Sequence, residues 1–123
     1  MTKQEALKNR TKHFAVRIIK LFRALPKNEE ARIIGKQVLR SGTSIAANYR
    51  AVCRARSNAE FIAKIGIVVE ETDETVFWLE LLAETEIISA RKLESLLNEA
   101  NQLLAIFAAS QLTAKHNSPK YKK

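Results

Sequence analysis

The chain has 123 residues, 46% of them hydrophobic, and its 21 Lys and Arg against 13 Asp and Glu give a formal net charge of +8. A single cysteine, Cys53, excludes an internal disulfide framework. No apolar stretch has the length of a signal peptide or of a membrane span. We therefore expect one soluble, cytoplasmic domain with no membrane partner.

The positive charge is concentrated in the first half of the chain. Residues 1–56 contain 14 Lys and Arg and 3 Asp and Glu, residues 57–90 contain 1 and 8, and residues 91–123 contain 6 and 2. A polyanionic partner would explain the basic first half. Pairing between oppositely charged helices, within a subunit or between subunits, would explain it as well. The two interpretations are compatible, and both stay open.

A first helix is predicted over about residues 3–25, because Thr2 and Glu5 form a capping box and Pro26 cannot continue the hydrogen-bond ladder. Its apolar row, in steps of four and three, is Leu7, Thr11, Phe14, Ile18, Leu21 and Leu25. Basic residues fall mostly off this row and form either a solvated face or a nucleic-acid-binding surface. These candidates are Lys8, Arg10, Lys12, Arg17, Lys20 and Arg23.

A second helix is predicted over about residues 29–56, with Asn28 as its N-cap. Gly35 and Gly42 would each cost roughly 1 kcal/mol relative to alanine inside a helix. Glycine at these positions indicates the close approach of a neighbouring helix. A break in the helix at Ser41–Thr43 is the alternative.

Small polar residues follow the second helix at intervals of four, three and four, so they share one stripe. The simpler interpretation is a structural polar network that fixes the register between helices, with Arg40 meeting Glu71 or Glu74. The alternative is a ligand-binding or subunit-contact surface. The predicted network comprises Gln37, Arg40, Ser41, Ser44, Asn48, Glu71 and Glu74.

Two further helices are predicted over about residues 58–84 and 90–112, the first from the Ser57/Glu60 capping box and the second from the cap at Ser89. Residues 115–123 have no apolar period, and we expect a flexible basic tail there. Four amphipathic helices with short connections predict an all-α, antiparallel, up-down-up-down four-helix bundle over residues 1–114.

The sequence offers little support for an enzyme. A di-metal site in a bundle uses Glu-x-x-His pairs, and neither His13 nor His116 has an acid three residues before it. The chain has no glycine-rich phosphate loop, nucleophile elbow or Cys-x-x-Cys motif. Glu71 and Glu74 are the carboxylates that a metal-dependent enzyme would use, but we interpret them as ion-pair partners. No catalytic residue, metal or cofactor is predicted.

The resemblance to a known family rests on three segments: Q-V-L-R-S-G-T-S-I-A-A-N-Y (37–49), A-R-S-N-A-E-F-I-A-K (55–64) and E-T-D-E-T-V-F-W-L-E-L-L (71–82). They resemble the four-helix-bundle family named after intervening sequences in bacterial 23S rRNA genes. Ala51 and Phe77 depart from the family pattern, which usually has Glu and commonly Tyr there. The resemblance implies a ring-shaped homo-oligomer, a pentamer, and kinship with accessory proteins of diversity-generating retroelements, which bind nucleic acid and a reverse transcriptase.

Two functional hypotheses follow. The first is a non-enzymatic oligomer that binds RNA or DNA through its basic first helix. No aromatic stacking platform is evident, so backbone contacts would dominate and sequence specificity would be weak. The second is a protein-interaction scaffold, for example a partner of a reverse transcriptase, in which the basic half of one subunit meets the acidic third helix of the next subunit or of a different protein.

Overall fold

The computed structural model describes residues 1–119, which form four α-helices. They are α1 (Lys3–Ala24), α2 (Glu29–Val52), α3 (Asn58–Glu84) and α4 (Ala90–His116). Consecutive helices pack extensively on each other, whereas α1 and α4 contact each other only slightly. No strand occurs in the described residues, which confirms the all-α prediction. None of these four helices is both long and apolar enough to cross a membrane.

Each helix begins at the predicted polar residue. The side-chain oxygen of each N-cap accepts a hydrogen bond from the backbone N–H three residues later, which satisfies a donor that the first turn leaves free. The caps are Thr2, Asn28, Ser57 and Ser89, with N···O distances of 3.1, 2.9, 3.0 and 3.4 Å. The starts of the helices are therefore set by local sequence.

The end of α2 differs from the prediction, because the helix stops at Val52 and not near Arg56. The N–H groups of Arg54 and Ala55 donate to carbonyls three residues back, at 3.1 and 3.0 Å, which tightens the chain into a turn. Ser57 must then be extended (φ −152°, ψ 164°) to cap α3. The N-cap of α3 thus requires α2 to end early. The alternative break at Ser41–Thr43 is wrong, since α2 is continuous there.

The end of α4 also differs, because the helix continues to His116 and not only to residue 112. Ala114 is buried, and the side-chain amide of Asn58 donates to its carbonyl at 3.0 Å. The last turn of α4 therefore packs on the start of α3 and includes the first two residues of the predicted tail. Residues 120–123 of that tail lie outside the described residues.

The core is built from the predicted apolar rows. Every helix contributes side chains that are almost completely removed from water, and burial of this kind is the main driving force for folding. The largest are Phe14, Ile18, Val38, Ile45, Val52, Ile65, Val68, Leu79, Leu82, Leu93, Leu103 and Phe107. One serine and three threonines are fully buried among them: Ser41, Thr11, Thr72 and Thr75.

The glycines of α2 lie where α1 comes closest. A Cβ built on Gly42 would lie 2.8 Å from Ile18 Cγ1, and one built on Gly35 would lie 2.5 Å from Leu25 Cδ1. Both distances are too short for real carbon atoms, so any larger residue would force a neighbour to move. The close approach predicted from these glycines is therefore made by α1.

Candidate nucleic-acid interface

The six basic residues predicted on α1 divide into two groups. Arg10 and Arg17 point to α4, while the other four are exposed. The Arg10 guanidinium donates to both carboxylate oxygens of Glu99 at 2.8 Å, and one of its nitrogens also donates to Gln102 Oε1 at 2.8 Å. Arg17 Nη2 donates to Ser95 Oγ at 2.9 Å. These two arginines connect α1 to α4, two helices that otherwise contact each other only slightly.

The pair between Arg10 and Glu99 is electrostatically coupled. The hydrogen bonds from Arg10 lower the pKa of the Glu99 carboxyl, although its partial burial opposes this shift. In return, Glu99 raises the pKa of Arg10. A two-point contact between a guanidinium and a carboxylate fixes geometry as well as charge. Arg10 therefore has a structural role, and Arg17 contributes to the same contact through its hydrogen bond to Ser95.

The other four cations of the predicted set lie on the outward side of α1. They are Lys8, Lys12, Lys20 and Arg23. Within residues 1–119, none of the four forms an ion pair within 4.0 Å. A cation with no acidic partner is available to an external anion, so these four residues are the part of the predicted surface that can meet phosphate.

A cleft at the turn between α1 and α2 extends this basic surface. Its volume is about 700 Å³. Four cations line it: Arg23, Lys27, Arg32 and Lys36. Its apolar lining comes from Phe22, Leu25, Pro26 and Ala31, and Asn28 and Glu29 complete it. Of these four cations, only Arg23 was predicted from the sequence. The near-helical spacing of the cations at 23, 27, 32 and 36 around a Pro-Lys-Asn turn could have indicated this basic cleft.

On the opposite side of α2, Arg40 meets both predicted carboxylates of α3. One guanidinium nitrogen lies 3.2 Å from Glu71 Oε2, and another contacts Glu74 Oε2. Glu74 Oε2 also accepts a hydrogen bond from Trp78 Nε1 at 3.0 Å, and Arg40 Nε donates to Gln37 Oε1 at 3.4 Å. Trp78 is a member of this network that the sequence pattern did not reveal.

The buried part of the same contact is a pair of hydroxyls. Thr75 Oγ1 lies 2.9 Å from Ser41 Oγ, and both residues are fully buried. The other members of the predicted stripe bond within α2: Ser44 Oγ donates to the Ser41 carbonyl at 2.8 Å, and Asn48 Nδ2 donates to the Ser44 carbonyl at 2.9 Å. The structure thus joins α2 to α3 through Arg40 and Ser41, and not through the whole stripe.

Metal-ligand groups give no second candidate site. Within the part of the chain that the structure describes, no group of three or more His, Cys, Asp or Glu side chains is placed to hold a metal ion. Cys53 lies near Tyr49, whose pKa is raised mainly by burial and further by this thiol. The Tyr49 ring contacts Phe107 at a centroid distance of 5.4 Å, so both residues belong to the packing of the core.

The outward face of α3 has the opposite character to that of α1. Ile67 and Phe77 are about half exposed there, and the Phe77 ring contacts Trp78 edge-on at a centroid distance of 4.9 Å. The acidic side chains exposed on α3 are Glu70, Asp73, Glu80 and Glu84. Exposed apolar side chains beside like charges are typical of a protein-interaction surface.

Comparisons with known proteins agree with this fold. Among curated proteins, none is detectably similar to the chain. A crystal structure of a protein of unknown function from the S23 ribosomal protein family of Bacteroides thetaiotaomicron is 38% identical to it, with a TM-score of 0.82. That similarity covers 89% of this chain and 98% of the other. Residues 3–109 match the family described as 23S rRNA-intervening sequence protein, and the chain therefore belongs to this family.

Proposed function

We propose that this protein is a non-enzymatic oligomer that binds RNA or DNA through phosphate contacts, with weak sequence specificity. The observation that carries the proposal is the set of exposed cations on α1 that have no acidic partner within residues 1–119. Cations of this kind attract a polyanion and release its counterions on binding. Contacts to phosphate give affinity and position but carry no direct information about sequence.

The spacing of these cations suits an extended polyanion. Lys8 and Arg23 are fifteen residues apart on one helix, which is about 22 Å at 1.5 Å per residue. Successive phosphates of one strand of a duplex advance by about 3.4 Å along the helix axis, so this surface could meet several of them. The cations of the cleft, beginning with Lys27, continue the same surface past the end of α1.

We also propose the arrangement of helices and subunits in which this surface acts. Contacts such as Gly35 with Phe22 and Gly42 with Ile18 run in opposite chain order along the two helices, which favours the antiparallel up-down-up-down bundle. The resemblance to the family favours a ring, a homopentamer, in which the acidic and apolar face of α3 meets a neighbouring subunit. A ring would repeat the basic surface around its axis and strengthen its field.

The test is fluorescence anisotropy with labelled single-stranded RNA and duplex DNA across a salt series. We expect the affinity to fall steeply with salt, and the double variant Lys12→Glu/Arg23→Glu to bind much more weakly at fixed salt. The double variant Arg91→Glu/Lys92→Glu has the same net charge, with both changes at the exposed start of α4, and should retain most of the affinity. An equal loss of affinity in both variants would show that only the net charge matters, and this result would refute the proposed surface.

The second candidate function is a protein-interaction scaffold, for which a reverse transcriptase is one partner. The exposed Ile67 and Phe77 among the acids of α3 favour it. Light scattering in the same salt series separates the two candidates. An oligomer that dissociates at high salt, together with no binding of nucleic acid at low salt, would support the scaffold and overturn the first proposal.

A further inference from the structure

We propose that the cleft between α1 and α2 binds one unpaired nucleotide of a single strand, with the base on the apolar floor and the flanking phosphates on the surrounding cations. This inference rests on the proposed function and makes it more specific. Phosphate contacts along α1 would accept single strands and duplexes alike, whereas this cleft would select a strand whose bases are free.

The lining of the cleft combines two kinds of chemistry. Phe22 is partly exposed and offers an aromatic surface, while Leu25 and Ala31 beside it are buried and complete the apolar lining. Arg23, Lys27, Arg32 and Lys36 are all exposed around this floor, and the other charged group of the lining is Glu29. A bare phosphate would need only the cations, and an apolar peptide would need only the floor. A nucleotide uses both, because its base has a π-face and its phosphate a charge.

The ring of Phe22 is also held in place. A Cβ on Gly35 would lie 3.3 Å from Phe22 Cδ1 and 3.4 Å from its Cε1, so the ring packs tightly on the backbone of α2. A ring fixed in this way offers a base a preformed surface and loses little conformational freedom on binding. The volume of about 700 Å³ lies within the range of small-molecule sites, and it is too small for a stacked base pair to enter with its two backbones.

The decisive variant is Phe22→Leu, which keeps an apolar side chain but removes the aromatic face. We expect the affinity for a labelled 12-nucleotide single-stranded RNA to fall roughly 5- to 100-fold, the range of one lost base–aromatic stack. The affinity for a 12-base-pair duplex should stay unchanged. Phe61→Leu is the matched control, because it removes a partly buried ring from a cleft between α3 and α4 that no cation lines, and it should change neither affinity.

A second variant tests the phosphate contacts without altering the floor. Arg32→Gln/Lys36→Gln should reduce the slope of log affinity against log salt for the single strand by about 1.4, which is about 0.7 for each phosphate contact. Circular dichroism of every variant shows whether the helices remain intact. If Phe22→Leu unfolds, this double variant still decides the matter through its slope.

The outcomes separate this inference from the function on which it rests. No binding to any nucleic acid by the unaltered protein would overturn both. Binding that is equal for single strand and duplex, with no effect of Phe22→Leu, would leave the proposed function in place and refute the cleft. Equal competition by poly-glutamate would show that the cleft recognises charge alone, and this result would also refute the inference.

Discussion

Helix α2 packs on its two neighbours in different ways. Towards α1 it presents the backbone of Gly35 and Gly42, and the contacts there are made by apolar side chains of α1. Towards α3 it presents polar groups, with Ser41 against Thr75 and Arg40 against two carboxylates. The first contact sets how closely two helices approach. The second sets their register, because hydrogen bonds hold only at one axial position.

This difference also determines which charges remain available. Two acids of α3, Glu71 and Glu74, lie beside α2 and pair with Arg40. The contact between α1 and α2 has glycine and apolar groups in place of acids, and the cations along its outer edge, such as Arg32 and Lys36, have no ion-pair partner within residues 1–119. The apolar contact between α1 and α2 thus leaves the cations of both helices exposed, whereas the polar contact between α2 and α3 neutralises the charge of Arg40.

The largest effect is expected at Gly42. In Gly42→Ala the new methyl group would press on Cγ1 and Cγ2 of Ile18, which is fully buried and branched at Cβ and so cannot rotate away. Overpacking of this kind costs about 1–3 kcal/mol, and alanine gains back roughly 1 kcal/mol in helix propensity. Urea denaturation should therefore show a net loss of up to about 2 kcal/mol.

Gly35→Ala is the matched control for this prediction. Its nearest neighbour is Cδ1 of Leu25, the far end of a flexible side chain that can move aside. The gain in helix propensity should then balance the strain, and we expect the free energy of unfolding to change by less than about 1 kcal/mol. A larger loss at Gly35 than at Gly42 would contradict our account of which neighbour can yield.

On the other side of α2, the variant Thr75→Val replaces a hydroxyl with a methyl group of the same shape. It removes the partner of Ser41 Oγ at 2.9 Å in a fully buried position and leaves that hydroxyl one long hydrogen bond, to the Val38 carbonyl at 3.5 Å. An unsatisfied buried polar group costs about 1–3 kcal/mol, and the loss here should lie near the lower end of that range. Thr72 is equally buried, but its hydroxyl donates only to the Val68 carbonyl of its own helix at 2.6 Å. Thermal denaturation should show Thr72→Val to be the milder change, and equal losses would exclude a special role for the pair.

The fold could be predicted from the sequence because its determinants are local. The cap at Ser57 and the step-four, step-three rows depend on residues a few positions apart, and those intervals predicted four helices and most of the core. The prediction was wrong at Arg56 and at residue 112, where a neighbouring element decides the boundary. The cap of α3 ends α2, and the packing of Ala114 on α3 extends α4.

The candidate site could be predicted only in part, because it depends on which helices lie side by side. The basic residues of α1 were evident, but nothing in their spacing indicated that Glu99, 89 residues after Arg10, would take up one of them. The cleft needed Arg23 and Lys36 on two different helices to meet across a turn. The sequence shows which side chains are charged, but only the fold decides which of them have an ion-pair partner.

The contact between α1 and α4 depends more on the ion pair of Arg10 and Glu99 than on packing. Glu99→Gln should lower the free energy of unfolding at pH 7 by about 1 kcal/mol, since glutamine keeps one acceptor oxygen for the guanidinium and puts an NH2 donor in place of the second, without a negative charge. Because Arg10 lowers the pKa of Glu99 in the folded protein, this stabilisation is present above the unfolded pKa of about 4.3 and is lost as the pH falls through the folded pKa. Denaturation at several pH values should show the two proteins converging in acid, and a difference that persists there would contradict the ion pair.

The smallest effect is expected at Arg40, because its guanidinium is about half exposed. Exposed ion pairs contribute about 0–1 kcal/mol, so Arg40→Lys should change the free energy of unfolding by less than about 0.5 kcal/mol. An ammonium group cannot hold Glu71 and Glu74 with a planar fork, however. Glu74 also accepts a hydrogen bond from the indole of Trp78, the single tryptophan. If the Glu74 carboxylate becomes more mobile in the variant, the fluorescence emission of Trp78 should change. A changed emission at unchanged stability would show that Arg40 positions the carboxylates of α3, while the buried pair of Ser41 and Thr75 maintains the register.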